Sequence, residues 1–304
     1  MTSHQNTRAV SQKHILAPSF PFTAPKLYQS DEVPSWYAHN NYIQTAYRPV
    51  TKSTRLCIQS LAYLHNETIN IYSHLIPALL SLLGSHSFSL NFAERFPHAS
   101  WKDELMFRIF LTTCVICFGM SAAYHTLLCH SQLFAKLWVR LDYVGIVVQI
   151  VGSFVPGIYF AFYCEPNLQK LYWTMIVTLG ALAATIVLNP GLQEPKWKTL
   201  RLSVFVAMGL SAFAPIVHAS SIFPYGQLDQ QSGLRYYFLE GILILIGVGF
   251  YAAHFPESWK PKRYDICGAS HQIFHVAVVL GAVAHYYGIM SAFEWNYENQ
   301  RCKW

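Results

Sequence analysis

Residues 271–293 read HQIFHVAVVLGAVAHYYGIMSAF, a run that is apolar except for a few polar side chains. As a helix, this run is long enough to cross a hydrocarbon core of about 30 Å. His271 and His275 are four residues apart, so they lie on one face of that helix, one turn from each other. Ionisable side chains are costly inside a bilayer and usually have a partner. The stretch therefore predicts a membrane helix that carries a functional site.

The composition of the whole chain is that of a membrane protein. Of its 304 residues, 53% are hydrophobic and only 12% are charged, whereas soluble domains contain about 25% charged residues. The net charge of +6 comes from basic residues scattered through short polar segments. This pattern fits loops that face anionic lipid and argues against a nucleic-acid partner. No secretory signal peptide is recognisable.

Seven apolar segments are each long enough to span a bilayer, which predicts an all-α integral membrane protein with a seven-transmembrane helix bundle. Short polar segments separate them, so consecutive helices are expected to be neighbours. The predicted spans are residues 69–90, 105–128, 138–163, 171–189, 200–223, 235–254 and 271–293.

The segments outside this 69–293 bundle divide into three. Residues 1–30 are rich in Ser, Thr, Gln and Pro and are predicted to be a disordered cytoplasmic tail. Residues 31–68 are predicted to be a juxtamembrane helical segment, in which an amphipathic interfacial helix carries aromatic side chains between Pro34 and Pro49. The alternative for that stretch is a short loop with ordinary aromatic residues. Residues 294–304 are predicted to be a short extracytoplasmic tail.

The distribution of lysine and arginine predicts the orientation in the membrane. The tail and the loops after the second, fourth and sixth spans hold fourteen of these residues, and the opposite side holds seven. Positive residues accumulate on the cytoplasmic side, so the N-terminus is predicted to be cytoplasmic. The protein is expected in the plasma membrane or the endoplasmic reticulum.

This orientation brings polar residues from three helices into one layer. His125 lies at the cytoplasmic end of the second span, Asp142 at the start of the third, and His271 with His275 at the start of the seventh. Ser121 is one helical turn before His125, on the same face. These five residues form a predicted site near the cytoplasmic side of the bundle.

In one type of catalytic zinc site, three histidines bind the ion and a water molecule takes the fourth position. The pKa of that water is lowered to about 7. The sequence therefore predicts that His125, His271 and His275 bind Zn²⁺. Asp142 is a candidate to accept a hydrogen bond from a group bound to the metal, or to act as general base. Ser121 is a candidate to hold water or a substrate oxygen. The alternative is that each histidine makes an ordinary hydrogen bond between helices.

Other polar residues receive structural interpretations. His285 lies about 15 Å along the helix from His275, too far to share its metal. Glu240 is close in sequence to Arg235 and is interpreted as an interfacial group. The seven cysteines show no repeated framework. Polar residues are expected to cluster on one side of the bundle, which disfavours a third hypothesis, a zinc transporter.

Several segments resemble the PAQR family, which comprises adiponectin and progestin receptors, the haemolysin III group and fungal IZH-type members. Within that family the chain resembles a fungal adiponectin-receptor-like, IZH-type member. The matching segments are PSW (34–36), NYI (41–43), YRP (47–49), ETINIYSH (67–74), SAAYH (121–125), LDYVGI (141–146), GSFVP (152–156) and SHQIFH (270–275).

The resemblance implies a zinc ion on His125, His271 and His275, with Asp142 reaching it through water and Ser121 beside it. It also implies a cytoplasmic N-terminus and, for the adiponectin-receptor branch, cleavage of the amide of ceramide or a similar sphingolipid within the membrane. One functional hypothesis is therefore an intramembrane zinc amidase. The other is a receptor with structural zinc and an extracellular ligand that the outer loops do not identify.

Overall fold

The computed structural model describes residues 25–299 and Cys302. Within these residues the fold is all-helical, and its only β-type pairing is an isolated bridge between Tyr28 and Tyr47. The helices are α1 (Thr54–Gln59), α2 (Thr68–Arg95), α3 (Trp101–Leu127), α4 (Gln132–Ala161), α5 (Pro166–Leu188), α6 (Lys198–Leu210), α7 (Phe213–Ile222), α8 (Tyr225–Ser232), α9 (Leu234–Ala253) and α10 (Ser270–Asn299).

Seven helical segments in this part of the chain are long and apolar enough to cross a membrane, which confirms the predicted seven-span architecture. The fifth span consists of α6 and α7, which are separated at Ser211 and Ala212. Pro215 lies in the first turn of α7, where its missing N–H leaves no hydrogen bond unmade. The last helix continues to residue 299, six residues beyond its predicted end.

The bundle is organised around α3, α4 and α10. Helix α3 packs against α2 and α4, while α10 packs mainly against α9 and also against α2 and α8. Their shared core contains aromatic rings, including the fully buried Phe107, Phe160 and Phe293. Helices α2 and α9 instead expose many leucine and isoleucine side chains, as expected of helices whose outer faces contact lipid.

A close backbone contact joins α8, α9 and α10. Helix α8 ends at Ser232 and is capped by Gly233, whose φ of +69° lies in the left-handed region. A Cβ at Gly233 would lie 2.3 Å from the carbonyl oxygen of Gly288. Both the backbone conformation and the space at this junction therefore require glycine.

The two ends of the bundle differ in chemistry. We call the end where α3 finishes and where α4 and α10 begin the histidine end, because His125 and His271 lie there. At the opposite end, Cys164 and Cys302 form a disulfide that joins the segment after α4 to the segment after α10. We call this the disulfide end. The cysteine spacing did not predict this pairing.

The prediction of an interfacial helix between Pro34 and Pro49 was wrong, because residues 31–50 contain turns and extended segments without a helix. Helical structure in the predicted 31–68 segment is confined to α1, the adjoining 3₁₀ turn at Ser60–Ala62 and the start of α2. Backbone N–H groups of residues 44 and 45 donate to Asp265 rather than along a helix. Hydrogen bonds to a distant loop thus take the place of the backbone hydrogen bonds that a helix would make. Residues 1–24 of the predicted tail lie outside the described residues.

Candidate metal site

Three histidines from two helices meet at the histidine end. His125 is on the last turn of α3, whereas His271 and His275 are on the first two turns of α10. Each offers one ring nitrogen, and these three nitrogens lie within 4.8 Å of one another. The structure therefore brings together the three residues that the sequence predicted as metal ligands.

The geometry of these imidazoles fits one metal ion. The Nε2 atoms of His125 and His271 are 3.3 Å apart, about the separation of two nitrogens that are each bound at about 2.0–2.1 Å to one tetrahedral ion. His275 directs Nδ1 at the carbonyl oxygen of Asn70, 3.1 Å away, so its Nε2 remains available. Imidazole suits Zn²⁺ but also copper, iron and nickel, so the donor set alone does not name the metal.

Glu67 contacts the candidate site, and the sequence did not predict this contact. It lies at the start of α2, and its Oε2 atom is 2.8 Å from Nδ1 of His125. The side-chain amide of Asn70 also donates to this oxygen, at 2.7 Å. A carboxylate on the far nitrogen fixes the tautomer and orientation of a metal-binding histidine. Glu67 therefore leaves Nε2 of His125 free to bind a metal.

The charge of Glu67 follows from its surroundings. Burial alone would raise the pKa of its carboxyl, but the hydrogen bonds from His125 and Asn70 and the positive charge of Arg48 outweigh burial and hold that pKa below its usual range. Glu67 is therefore an anion at neutral pH. A signal in the sequence was the Glu-x-x-Asn pattern at the entrance to the first span, within the segment that resembles the family.

His74 adds an aromatic support to the site. Its ring lies parallel to that of His275, with centroids 3.7 Å apart and an angle of 4° between the planes. Neither ring nitrogen of His74 has a hydrogen-bond partner within residues 25–299. The stacking restricts the plane in which His275 can lie, and together with the Asn70 carbonyl it fixes the direction of Nε2.

Asp142 and Ser121 lie close to each other, and Asp142 lies near His125. Both side chains are buried. Asp142 is on the third turn of α4, which begins six residues before the predicted start of its span, and Ser121 is six residues before the end of α3. The Ser121 hydroxyl is close enough to interact with the Asp142 carboxyl, which also lies within the electrostatic reach of His125. Within the described part of the chain, the group of possible metal ligands that lie within 4.8 Å of one another contains the three histidines and does not include Asp142. This placement suits a group that acts through water or substrate.

Comparison with known proteins identifies the family. The family described as haemolysin-III related matches residues 62–286, about three quarters of the chain. The chain belongs to the haemolysin III-related family.

Relatives of this haemolysin III-related protein cover most of its length. It is 34% identical over 273 residues to the ADIPOR-like receptor IZH2 of Saccharomyces cerevisiae, a match that covers 88% of this chain and 84% of the yeast protein. It is 35% identical over 258 residues to the adiponectin receptor protein of Drosophila melanogaster, a match that covers 84% of this chain. The chain spans only 57% of the length of the fly protein and 63% of that of a Caenorhabditis elegans progestin and adipoQ receptor-like protein. Seven spans and these relatives identify an integral, multi-pass membrane protein.

A second buried pair in this haemolysin III-related protein corrects two interpretations. Glu240 was assigned to the interface beside Arg235, but its carboxylate lies 2.7 Å from Nδ1 of His285, and Arg235 pairs with Asp229 instead. Nε2 of His285 lies 3.0 Å from the carbonyl oxygen of Ser153. Polar groups are thus also present deep in the half of the bundle nearer the disulfide end, contrary to the expectation that they cluster on one side.

Proposed function

We propose that this protein is a zinc-dependent intramembrane hydrolase of a lipid amide, with ceramide or a similar sphingolipid as substrate. The observation that carries the proposal is the meeting of three imidazole nitrogens beside the buried Asp142 and Ser121. A site with three histidines and further polar groups beside it matches catalytic zinc sites, whereas structural zinc sites have four protein ligands. The position of the site in the apolar bundle favours a lipid substrate.

His125, His271 and His275 would hold the ion. Zinc bound by three imidazoles supplies a Lewis acid for a carbonyl oxygen and lowers the pKa of a water ligand to about 7. Asp142 then acts as general base toward the attacking water and passes the proton to the leaving sphingoid nitrogen. Ser121, which is close enough to interact with the Asp142 carboxyl, would help to direct it.

Orientation of the protein with its N-terminus in the cytoplasm is part of the proposal. The lysine and arginine count, fourteen against seven, supports this orientation. So does the chemistry of the cysteines: Cys164 and Cys302 are paired at the disulfide end, whereas Cys57 and Cys129 remain free thiols, with sulfurs 3.5 Å apart, at the histidine end. Disulfides persist in oxidising compartments and are rare in the cytosol.

The test is release of fatty acid from a panel of ceramides by the purified full chain, with zinc content measured in the same samples. His275→Ala is expected to abolish both bound zinc and release. His86→Ala is the matched control, because His86 is an exposed histidine of α2, and it should retain both. Release that persists in His275→Ala protein without zinc would contradict the proposal.

A receptor with structural zinc is the second candidate function. It is supported by the relatives named as adiponectin receptor protein and ADIPOR-like receptor. The same experiment separates the two functions. A wild-type protein that binds one zinc per chain yet releases no fatty acid from any ceramide would favour the receptor.

A further inference from the structure

The two helices that supply the proposed metal ligands contact each other little. Helix α3 packs chiefly against α2 and α4, and α10 packs chiefly against α9. The spacing between His125 on α3 and His271 and His275 on α10 therefore depends on other parts of the chain. Two buried charged residues outside the membrane spans cap these helices at the histidine end.

Arg48 caps the end of α3. Its side chain is completely buried, and its Nη2 atom donates to the carbonyl oxygen of His125 at 2.6 Å. Its Nη1 atom donates to the carbonyl oxygen of Thr126 at 3.0 Å and to the Ser60 hydroxyl at 2.8 Å. The last carbonyls of a helix lack partners within the helix and carry a partial negative charge. The guanidinium satisfies two of these carbonyls at the turn that presents His125.

Glu257 caps the start of α10 with the opposite charge. It is also completely buried, and its carboxylate accepts hydrogen bonds from the backbone N–H of Ser270, at 2.7 Å, and from the Ser270 hydroxyl. The first N–H groups of a helix lack partners and carry a partial positive charge, which a carboxylate complements. Ser270 immediately precedes His271, so this cap fixes the turn that presents His271.

One short segment connects the two caps. The Asn40 side chain donates to Glu257 at 3.3 Å. The N–H groups of Gln44 and Thr45 donate to Asp265 at 3.0 and 2.7 Å, and the chain then reaches Arg48. Hydrogen bonds and a few peptide units thus run continuously from the last turn of α3 to the segment that leads into α10.

We propose that residues 40–48 are a clamp that sets the distance between His125 and the histidines of α10, with Arg48 and Glu257 as positioning residues of the metal site. The inference rests on the proposed metal function and concerns residues that do not touch the metal. Loss of either cap leaves buried helix-end groups without their hydrogen-bond partners. The turn concerned then shifts, and the three nitrogens no longer converge.

Cobalt binding tests the clamp without relying on enzyme activity. We would titrate metal-free full chain in detergent with Co²⁺ and record the affinity and the visible absorption of the bound ion. Arg48→Ala and Glu257→Ala are each expected to weaken binding about 10–100-fold, the usual effect of losing a partner of a metal ligand, and to change the absorption bands. Arg48→Lys should restore part of the affinity. Arg235→Ala is the matched control, because Arg235 is an exposed, ion-paired arginine at the disulfide end, and should match wild type.

A less disruptive variant is needed in case the loss of a buried charge prevents folding. Asn40→Ala removes the contact between the clamp and Glu257, together with a local hydrogen bond that the Asn40 side chain accepts from the Tyr42 N–H. It is expected to weaken Co²⁺ binding several-fold while helix content and elution volume stay unchanged. Folded Arg48 or Asn40 variants with wild-type affinity and absorption would overturn the clamp. Failure of the wild-type protein itself to bind Co²⁺ would instead overturn the metal site, and with it the proposed function.

Discussion

Two carboxylate–imidazole pairs lie inside the bundle, one toward each end. Glu67 pairs with His125 at 2.8 Å, and Glu240 pairs with His285 at 2.7 Å. In both, the carboxylate contacts Nδ1 of a buried histidine. In this local contact the two pairs are nearly equivalent.

The pairs differ in what the second ring nitrogen faces. Nε2 of His285 is occupied by the carbonyl oxygen of Ser153, and the ring stacks on Phe110. Nε2 of His125 instead faces His271 and His275. A buried carboxylate partner therefore does not mark a metal ligand by itself. The distinguishing feature is a second nitrogen directed at other free nitrogens.

The largest expected difference in bound zinc is between two alanine variants of α10. His275→Ala removes a ligand, so bound zinc should fall from about one ion per chain to near zero and hydrolysis should be lost. His285→Ala removes only a packed, hydrogen-bonded ring, so it should keep its zinc but lower the unfolding temperature. Metal analysis and thermal unfolding of the two proteins check this. Loss of zinc from His285→Ala protein would contradict the assignment of His285 to packing alone.

Substitutions on α4 should separate chemistry from metal binding. Asp142→Asn removes the proposed base and should lower the rate of ceramide hydrolysis about 10²–10⁴-fold, with zinc content unchanged. Ser153→Ala lies on the same helix beside His285, preserves the backbone carbonyl, and should retain the rate. The measurement is the initial rate at saturating substrate, normalised to zinc. An Asp142→Asn enzyme with wild-type rate would remove Asp142 from the mechanism.

The two carboxylates should differ in their effect on metal affinity. Glu67→Gln replaces an anion that orients His125, so zinc affinity should fall about 10–100-fold. Glu240→Gln should leave that affinity unchanged, because His285 does not contact the metal site. Competition with a zinc chelator measures both. Equal affinities in the two variants would mean that Glu67 does not orient a ligand.

The smallest effect on the metal site is expected from the opposite end of the bundle. Cys164→Ser opens the disulfide and should lower stability by about 2–4 kcal/mol, seen as a lower unfolding temperature. Zinc affinity should not change, since the bond lies at the disulfide end. Cys302→Ser should behave identically. A fall in zinc affinity in either variant would reveal coupling between the two ends.

The three histidines whose convergence was predicted from the sequence share one property. His125, His271 and His275 lie within long apolar runs, where a polar residue needs an explanation. Their positions within the spans place all three in the same layer of the membrane. Ser121 and Asp142 followed from the same layer. Seven spans were predictable for the same reason, because hydrophobic length alone determines them.

Residues near the helix ends were harder to predict. Glu67, Arg48 and Glu257 lie at boundaries, where charged side chains are common and carry no signal of burial. Their importance depends on contacts with residues far along the chain: 77 positions separate Arg48 from His125, and 217 separate Glu257 from Asn40. The aromatic residues of the clamp region suggested an amphipathic helix, but its backbone bonds to the loop before α10 instead. Cysteine connectivity likewise cannot be deduced from spacing.

The disulfide also constrains how the molecule is assembled. Four membrane spans separate Cys164 from Cys302: Pro166–Leu188, Lys198–Ile222, Leu234–Ala253 and Ser270–Asn299. The two thiols can meet only after all four have been inserted in alternating directions, because an odd number of crossings would leave them on opposite faces of the bilayer. Closure of this bond therefore records completed biogenesis. A faster-migrating band on a non-reducing gel would report, for each newly made chain, that insertion had finished with the correct topology.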